Sequence, residues 1–404
     1  MRLFITAVII TFIVISGLLS LPEVLNQRVF KVYSDSELRA EALEKGMSSV
    51  PKTYDGLLKV VDTKNNKMSF EKIALGKELF FDSSLSLHND MSCATCHMIK
   101  KDTHAKAQTL SKTITSQNSK DSNCVACHLD EQSGTDRLSS SMGHAGTQGP
   151  FLLNTMTVLN AALAPNLTWS GDIQSIEEQT SNSIQAIHKL NMSKEDLVNR
   201  LKNSDKYIKY FNKTYKTSSQ ESITFENTKN AIATYVKTLL TRGSFDRFLD
   251  GDDNAINAKA KRGLSNFINF GCKGCHTGMS VGGQHLQKFP LRTFASVYDL
   301  RVNLKFTPEF QIVDTSFPFE NKGGFQGQDI TDKFRVPILR NVTKTSPYFH
   351  NGAVAKIHEV VEIMAKHQLG LNLSEKQIDE IVEFLKTLEG DIVDYTKGEI
   401  HETN

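Results

Sequence analysis

The sequence predicts an all-α fold in two domains with long loops, preceded by an N-terminal hydrophobic helix. Three observations predict it: apolar residues recur at helical spacing in four places, Cys-x-x-Cys-His pentads interrupt the chain three times, and the first 21 residues are apolar almost throughout.

After Met1-Arg2, the 19 residues from Leu3 to Leu21 are apolar apart from Thr6, Thr11, Ser16, Gly17 and Ser20, and no charge follows until Glu23. That length suffices for a helix to cross a bilayer, whereas a removed export signal has a shorter apolar core and a small-x-small exit. Residues 1–21 are therefore expected to anchor the chain in the inner membrane, with a removed signal peptide as the alternative. Both place the remainder in the periplasm. Residues 22–66, polar and mixed in charge from Gln27 onward, suit a linker and an arm lying on the first domain.

The first domain is expected over 67–243. Ile73, Leu75, Leu79 and Phe80 form an apolar stripe that leads into the first pentad. Lys100 to Asn123 is rich in Lys, Ser and Thr, with little apolar material beyond Leu110 and Ile114, so about 98–128 reads as an exposed inserted loop. Phe225, Ile232, Tyr235, Val236 and Leu239 mark an amphipathic helix ending near Gly243, where the boundary falls. The second domain, 244–395, repeats the order. Leu264, Phe267 and Ile268 lead into the third pentad, Val281 to Lys333 forms a long structured loop, and a closing helix starts at a Ser374/Gln377 capping box. That helix carries Ile378, Ile381, Val382 and Leu385 on one face and stops at Gly390.

The pentads are Cys93-Ala-Thr-Cys96-His97, Cys124-Val-Ala-Cys127-His128 and Cys272-Lys-Gly-Cys275-His276, and they use all six cysteines. Two thiols one turn apart can each form a thioether to a haem vinyl group, which leaves the adjoining imidazole to ligate the iron. A redox pair, a zinc site or a structural disulfide does not require the trailing His three times. Three covalent c-type haems (heme c) are therefore expected, with His97, His128 and His276 on iron, in two cytochrome c-like haem domains. The balance of 47 basic against 45 acidic residues gives no electrostatic basis for nucleic acid as a partner.

Other stretches resemble the bacterial di-haem cytochrome c peroxidase family, which includes the MauG type. They are Leu75-Gly-Lys-Glu-Leu-Phe-Phe-Asp82, Gly134-Thr-Asp136, Met142-Gly-His144, Thr168-Trp-Ser-Gly171, Phe334-Arg-Val-Pro-Ile-Leu-Arg-Asn-Val342 and Pro347-Tyr-Phe-His-Asn-Gly352, covering roughly 70 to 390 in family order. The resemblance implies reduction of hydrogen peroxide to water with electrons from a small cytochrome c or cupredoxin. It implies a peroxidatic haem in the first domain and a high-potential, electron-accepting haem in the second.

Carried over by position, His276 and Met364 are the axial pair of the high-potential haem. The MauG type has tyrosine in place of this Met, so Met364 favours peroxidase over oxidation of a protein substrate. His144 matches the distal ligand that leaves to open the peroxidatic iron, and Trp169 matches the aromatic between the haems. Asn154, Thr345 and Pro347 match an interdomain calcium site, while Arg340 and His350 are expected near the domain interface. A homodimer is allowed by the resemblance.

Two departures stand out. Counting from Gln179 puts Lys189 where the family has a distal Glu, with His188 beside it; His188 is expected to move the proton, the alternatives being a cation that leaves the site poorly competent for peroxide or a count displaced by one helical turn. The extra pentad leaves two assignments open. Cys93 keeps the family spacing from its leading helix and is expected to hold the peroxidatic haem, with the Cys124 haem as a relay whose distal ligand is one of His88, His104, His188, His285 and Met98. The exchange of roles is the alternative, as is an electron-transfer cytochrome without peroxidase activity.

Overall fold

The computed structural model describes residues 31–100, 133–291 and 317–396. The chain divides into two compact units, Met1–Ser34 and Asp35–Asn404, and all elements named below lie in the second. They are helical apart from two antiparallel two-stranded ribbons.

The expectation of a leading hydrophobic helix, and with it the membrane anchor, is corrected. No helix among the described residues is long and apolar enough to cross a membrane. The stretch 1–21 on which that expectation fell lies outside the described residues.

Helix α1 (Asp35–Glu44) and helix α2 (Tyr54–Val61) form the N-terminal arm. Helix α3 (Phe70–Phe80) starts at Ser69, whose hydroxyl accepts from the Lys72 N–H at 3.2 Å, and buries Ile73, Leu75, Leu79 and Phe80. After the single-turn α4 (Cys93–Cys96) come α5 (Ile176–Gln185), α6 (Lys194–Lys202), α7 (Asp205–Tyr215) and α8 (Phe225–Lys237). These enclose the first core, around Leu79, Phe80, Ile184, Phe211 and Ile232. Strand β1 (Thr241–Gly243) leads to α9 (Ser244–Leu249) and α10 (Ala258–Phe270). Strands β2 (Leu286–Lys288) and β3 (Lys333–Arg335) pair within the long loop, before α11 (Ile357–Met364), a π turn at Ala365–Leu369, α12 (Glu375–Thr387) and β4 (Gly390–Ile392).

Each leading helix crosses its closing helix through a glycine. A Cβ at Gly76 of α3 would lie 1.9 Å from the Ala231 carbonyl oxygen of α8, and one at Gly263 of α10 would lie 1.8 Å from that of Glu380 in α12. Only hydrogen fits there, so the backbones approach closely, and the pentads at Cys93 and Cys272 each follow a helix held in such a pair.

The end of the chain returns to the middle. β4 pairs with β1, Thr241 opposite Ile392 and Gly243 opposite Gly390, and Val393 and Tyr395 pack with Val50, Leu57 and Leu240.

Behind this lies a fully buried ion pair. The Arg340 guanidinium donates to both oxygens of Asp246 at 2.9 Å each, to the Met279 carbonyl at 2.6 Å and to the Ser48 carbonyl at 3.3 Å. The Asp246 carboxylate also accepts from the Val50 and Gly243 N–H groups, each at 2.9 Å. Arg340 thus braces the arm, α9 and the Phe334–Val342 run, a structural task rather than a chemical one.

Candidate functional site

The first pentad sits on the first core. Helix α4 is closed by Ser92 and Thr95, the Ser92 N–H donating to the Thr95 hydroxyl at 3.0 Å. Burial pushes the Cys93 and Cys96 thiols up to about 12. A redox-active pair needs the opposite shift, so the surroundings suit thioethers rather than thiolates. His97 places Nδ1 3.2 Å from the Gly134 carbonyl. With Nδ1–H donated to that carbonyl, Nε2 is the nitrogen left to ligate a metal.

His144 is only 6% exposed, and both its ring nitrogens are buried without a hydrogen-bond partner. Leaving an imidazole unsatisfied on both sides is costly unless a further group completes it. Its loop is tightly held. The His144 N–H donates to the Lys189 carbonyl at 3.0 Å, the Ala145 N–H to Asp90 Oδ2 at 2.7 Å, and Ala145 adopts a left-handed φ of 51°. A Cβ at Gly143 would meet the His188 carbonyl oxygen at 2.1 Å, so glycine is required where the two segments touch. The His88 ring lies 5.3 Å from that of His144.

Lys189 is largely buried, and burial lowers its pKa against the opposing charge of Asp172. One segment therefore holds His144 by its backbone and carries a buried amine. His188, half-buried, has its pKa lowered by burial and by Lys189, and its ring packs on Gly149.

The third pentad opens on a largely apolar cleft, the kind of lining that binding sites for large apolar groups have. Cys272, Cys275, His276 and Met364 line it together, so the structure brings the expected axial pair to one cavity. Burial pushes Cys272 up to about 12 and His276 down to about 4, favouring the neutral imidazole a metal requires.

Trp169 reaches the same cleft from the N-terminal half, its indole N–H donating to the Asn154 carbonyl at 2.9 Å. His350, 2% exposed, is stacked on Phe334 at 4.8 Å with Nε2 2.7 Å from Asn321 Oδ1. Burial lowers it to about 4, the behaviour of a neutral core histidine that also lines the cleft. Arg335, which sequence reasoning passed over inside the Phe334–Val342 run, is buried against the cleft with Nη1 unpartnered.

The model of the family described as di-haem cytochrome c peroxidase matches residues 70–121 and 111–254. The cytochrome c551 peroxidase of Nitrosomonas europaea is 30% identical over 340 residues, 84% of each chain. The chain belongs to the di-haem cytochrome c peroxidase family. The cytochrome c551 peroxidase of Pseudomonas aeruginosa is likewise 30% identical, over 82% of each chain. A MauG-like protein associated with microbial copper homeostasis shares the fold, with a TM-score of 0.62 at 21% identity over 81% of this chain and 92% of the other. Membership carries haem-dependent peroxidase and electron-transfer chemistry, with hydrogen peroxide as the substrate.

It also corrects the cofactor expectation. The family is di-haem, so two c-type haems replace the three expected; Cys124, Cys127 and His128, like His104, lie outside the described residues. The calcium expectation is withdrawn as well. The Asn154 side-chain amide donates to the Leu138 carbonyl at 2.6 Å and the Thr345 hydroxyl to the Val342 carbonyl at 2.9 Å. The expectation drew on the Asn154 side chain and the Thr345 and Pro347 backbone carbonyls, and among the described residues no group of three His, Cys, Asp or Glu side chains could hold a metal ion.

Proposed function

We propose that the chain reduces hydrogen peroxide to water with electrons from a small periplasmic cytochrome c or cupredoxin, using two haem domains that meet near residue 243. The observation that carries this reading is His144, a buried imidazole with both nitrogens unsatisfied on a strained loop beside the first pentad. Such a side chain suits a ligand that must be held and then released.

Haem iron, when bound, supplies the electrons that cleave the O–O bond. The chain's residues do the rest. Cys93 and Cys96 would fasten the peroxidatic haem, and His97, with Nδ1 held at the Gly134 carbonyl, would offer Nε2 to its iron. His144 would be the ligand that is released to admit peroxide. His188 moves the proton between the peroxide oxygens, since a half-buried imidazole of lowered pKa is neutral and basic at pH 7. Cys272, Cys275, His276 and Met364, which line one cleft, would hold the electron-accepting haem, and ligation by a thioether together with an imidazole would raise its potential. Trp169, seated in that cleft and fixed to Asn154, lies on the route between the halves.

A pure electron-transfer cytochrome is the second reading, favoured by Lys189 standing where the family has Glu. Stopped-flow mixing of the half-reduced protein with peroxide separates the two. Oxidation of two donor equivalents per peroxide is expected; no donor oxidation would leave electron transfer as the function.

A further inference from the structure

Arg335 is 4% exposed, and no carboxylate among the described residues pairs with it. Its donors meet only neutral partners: Nε donates to the Thr168 carbonyl at 3.2 Å, Nη2 to the Met156 sulfur at 3.0 Å, and the backbone N–H to the Trp169 carbonyl at 2.9 Å. Nη1 is buried with no partner at all. Arg340, five positions on in the same run, has its guanidinium fully matched to Asp246. A buried cation facing a weak sulfur acceptor and an orphaned donor is strongly unfavourable unless an anion completes it. Burial pulls its pKa down to about 10, the mark of that missing charge. Arg335 is one of the residues that line the cleft with His276 and Met364.

We infer that Arg335 is the carboxylate-binding residue of this cleft, donating through Nη1 to a propionate of the haem held there. This rests on the reading of the cleft as a haem site. Because the same guanidinium and backbone hold Thr168 and Trp169, the contact also fastens the cofactor's polar edge to the loop that carries the indole. Arg335 is therefore a positioning residue that acts on the potential of this haem: a paired propionate no longer stabilises the ferric charge, so pairing favours the reduced form.

The test is spectroelectrochemical titration and resonance Raman on the haem-loaded protein and its Arg335→Gln and Arg335→Lys variants. The pyridine haemochrome count and the Met-ligated ferric spectrum are followed throughout. Arg335→Gln is expected to shift the equilibrium of this haem with a reference donor about tenfold toward the oxidised form, about 59 mV for one electron. Arg335→Lys keeps the charge but loses the planar fork, so it is expected to move the propionate vibrations while holding the potential within about twofold in the same equilibrium. An Arg335→Gln variant with two haems, intact Met ligation and unchanged potential would overturn the assignment. If that variant does not fold, an unchanged propionate mode in Arg335→Lys would do so. A sulfate titration that moves the wild-type potential as far as Arg335→Gln does would assign the site to a free anion instead. Wild-type protein with no haem on Cys272 and Cys275 would refute the reading of the cleft itself, a separate outcome.

Discussion

Replacing Arg340 by methionine tests whether the buried brace is worth what its geometry implies. The substitution removes two hydrogen bonds to Asp246 and one each to the Met279 and Ser48 carbonyls, with both charged side chains at 0% exposure. Methionine roughly preserves the volume, so the loss is polar rather than a cavity. Breaking a buried pair from one side costs about 3–5 kcal/mol, because the remaining charge is stranded. Asp246 retains the Val50 and Gly243 N–H groups, which places the expected loss near the lower end, about 3 kcal/mol. Urea unfolding of the haem-loaded protein at pH 7, followed by circular dichroism, measures it, provided the m-values agree. Adding Asp246→Asn to the methionine variant removes the stranded charge while keeping an acceptor for a backbone N–H, and should recover about 1–2 kcal/mol. A loss below about 1 kcal/mol in Arg340→Met, or a double variant weaker than the single, would refute the argument.

Gly263→Ala should destabilise by about 1–3 kcal/mol in the same assay, since its Cβ cannot fit 1.8 Å from the Glu380 oxygen without parting α10 from α12. Burial alone would raise the Glu177 carboxyl, but hydrogen bonds from Lys237 and Asn66 and the Lys237 charge hold it below the ordinary 4.5. Its stabilisation is therefore present above pH 4.5 and lost as pH falls through the folded value, and Glu177→Gln should flatten this acid limb of the stability profile. His188→Ala should slow peroxide-driven donor oxidation by about 10²-fold at an unchanged haem count, and an unaltered rate would remove His188 from the proton path.

The parts legible in the sequence are those whose signal is local. The pentads declare themselves, the Ser374/Gln377 capping box starts α12, and the stripe from Ile73 to Phe80 marks α3. Arg340 and Asp246 are 94 residues apart, and nothing local to either tells a buried brace from a surface arginine. The same holds for Arg335, whose meaning lies in what surrounds it rather than in its neighbours along the chain. Three-residue strands such as β2 and β3 are too short to show an alternating pattern, so Val281 to Lys333 reads only as loop. The contact between the Gly143–Ala145 loop and the His188–Lys189 segment depends on backbone groups, to which side-chain patterns are blind.

The pairing of β4 with β1 has a practical consequence. A gene cut at the codon for Gly243 would leave the upstream fragment without the clasp formed by Gly390–Ile392 and without Val393 and Tyr395 to cover Leu240, Val50 and Leu57. Neither half should then be expressed as a simple truncation. The upstream half would need the last few residues grafted on or supplied in trans, and a circularly permuted chain with its new ends elsewhere would keep the seam closed.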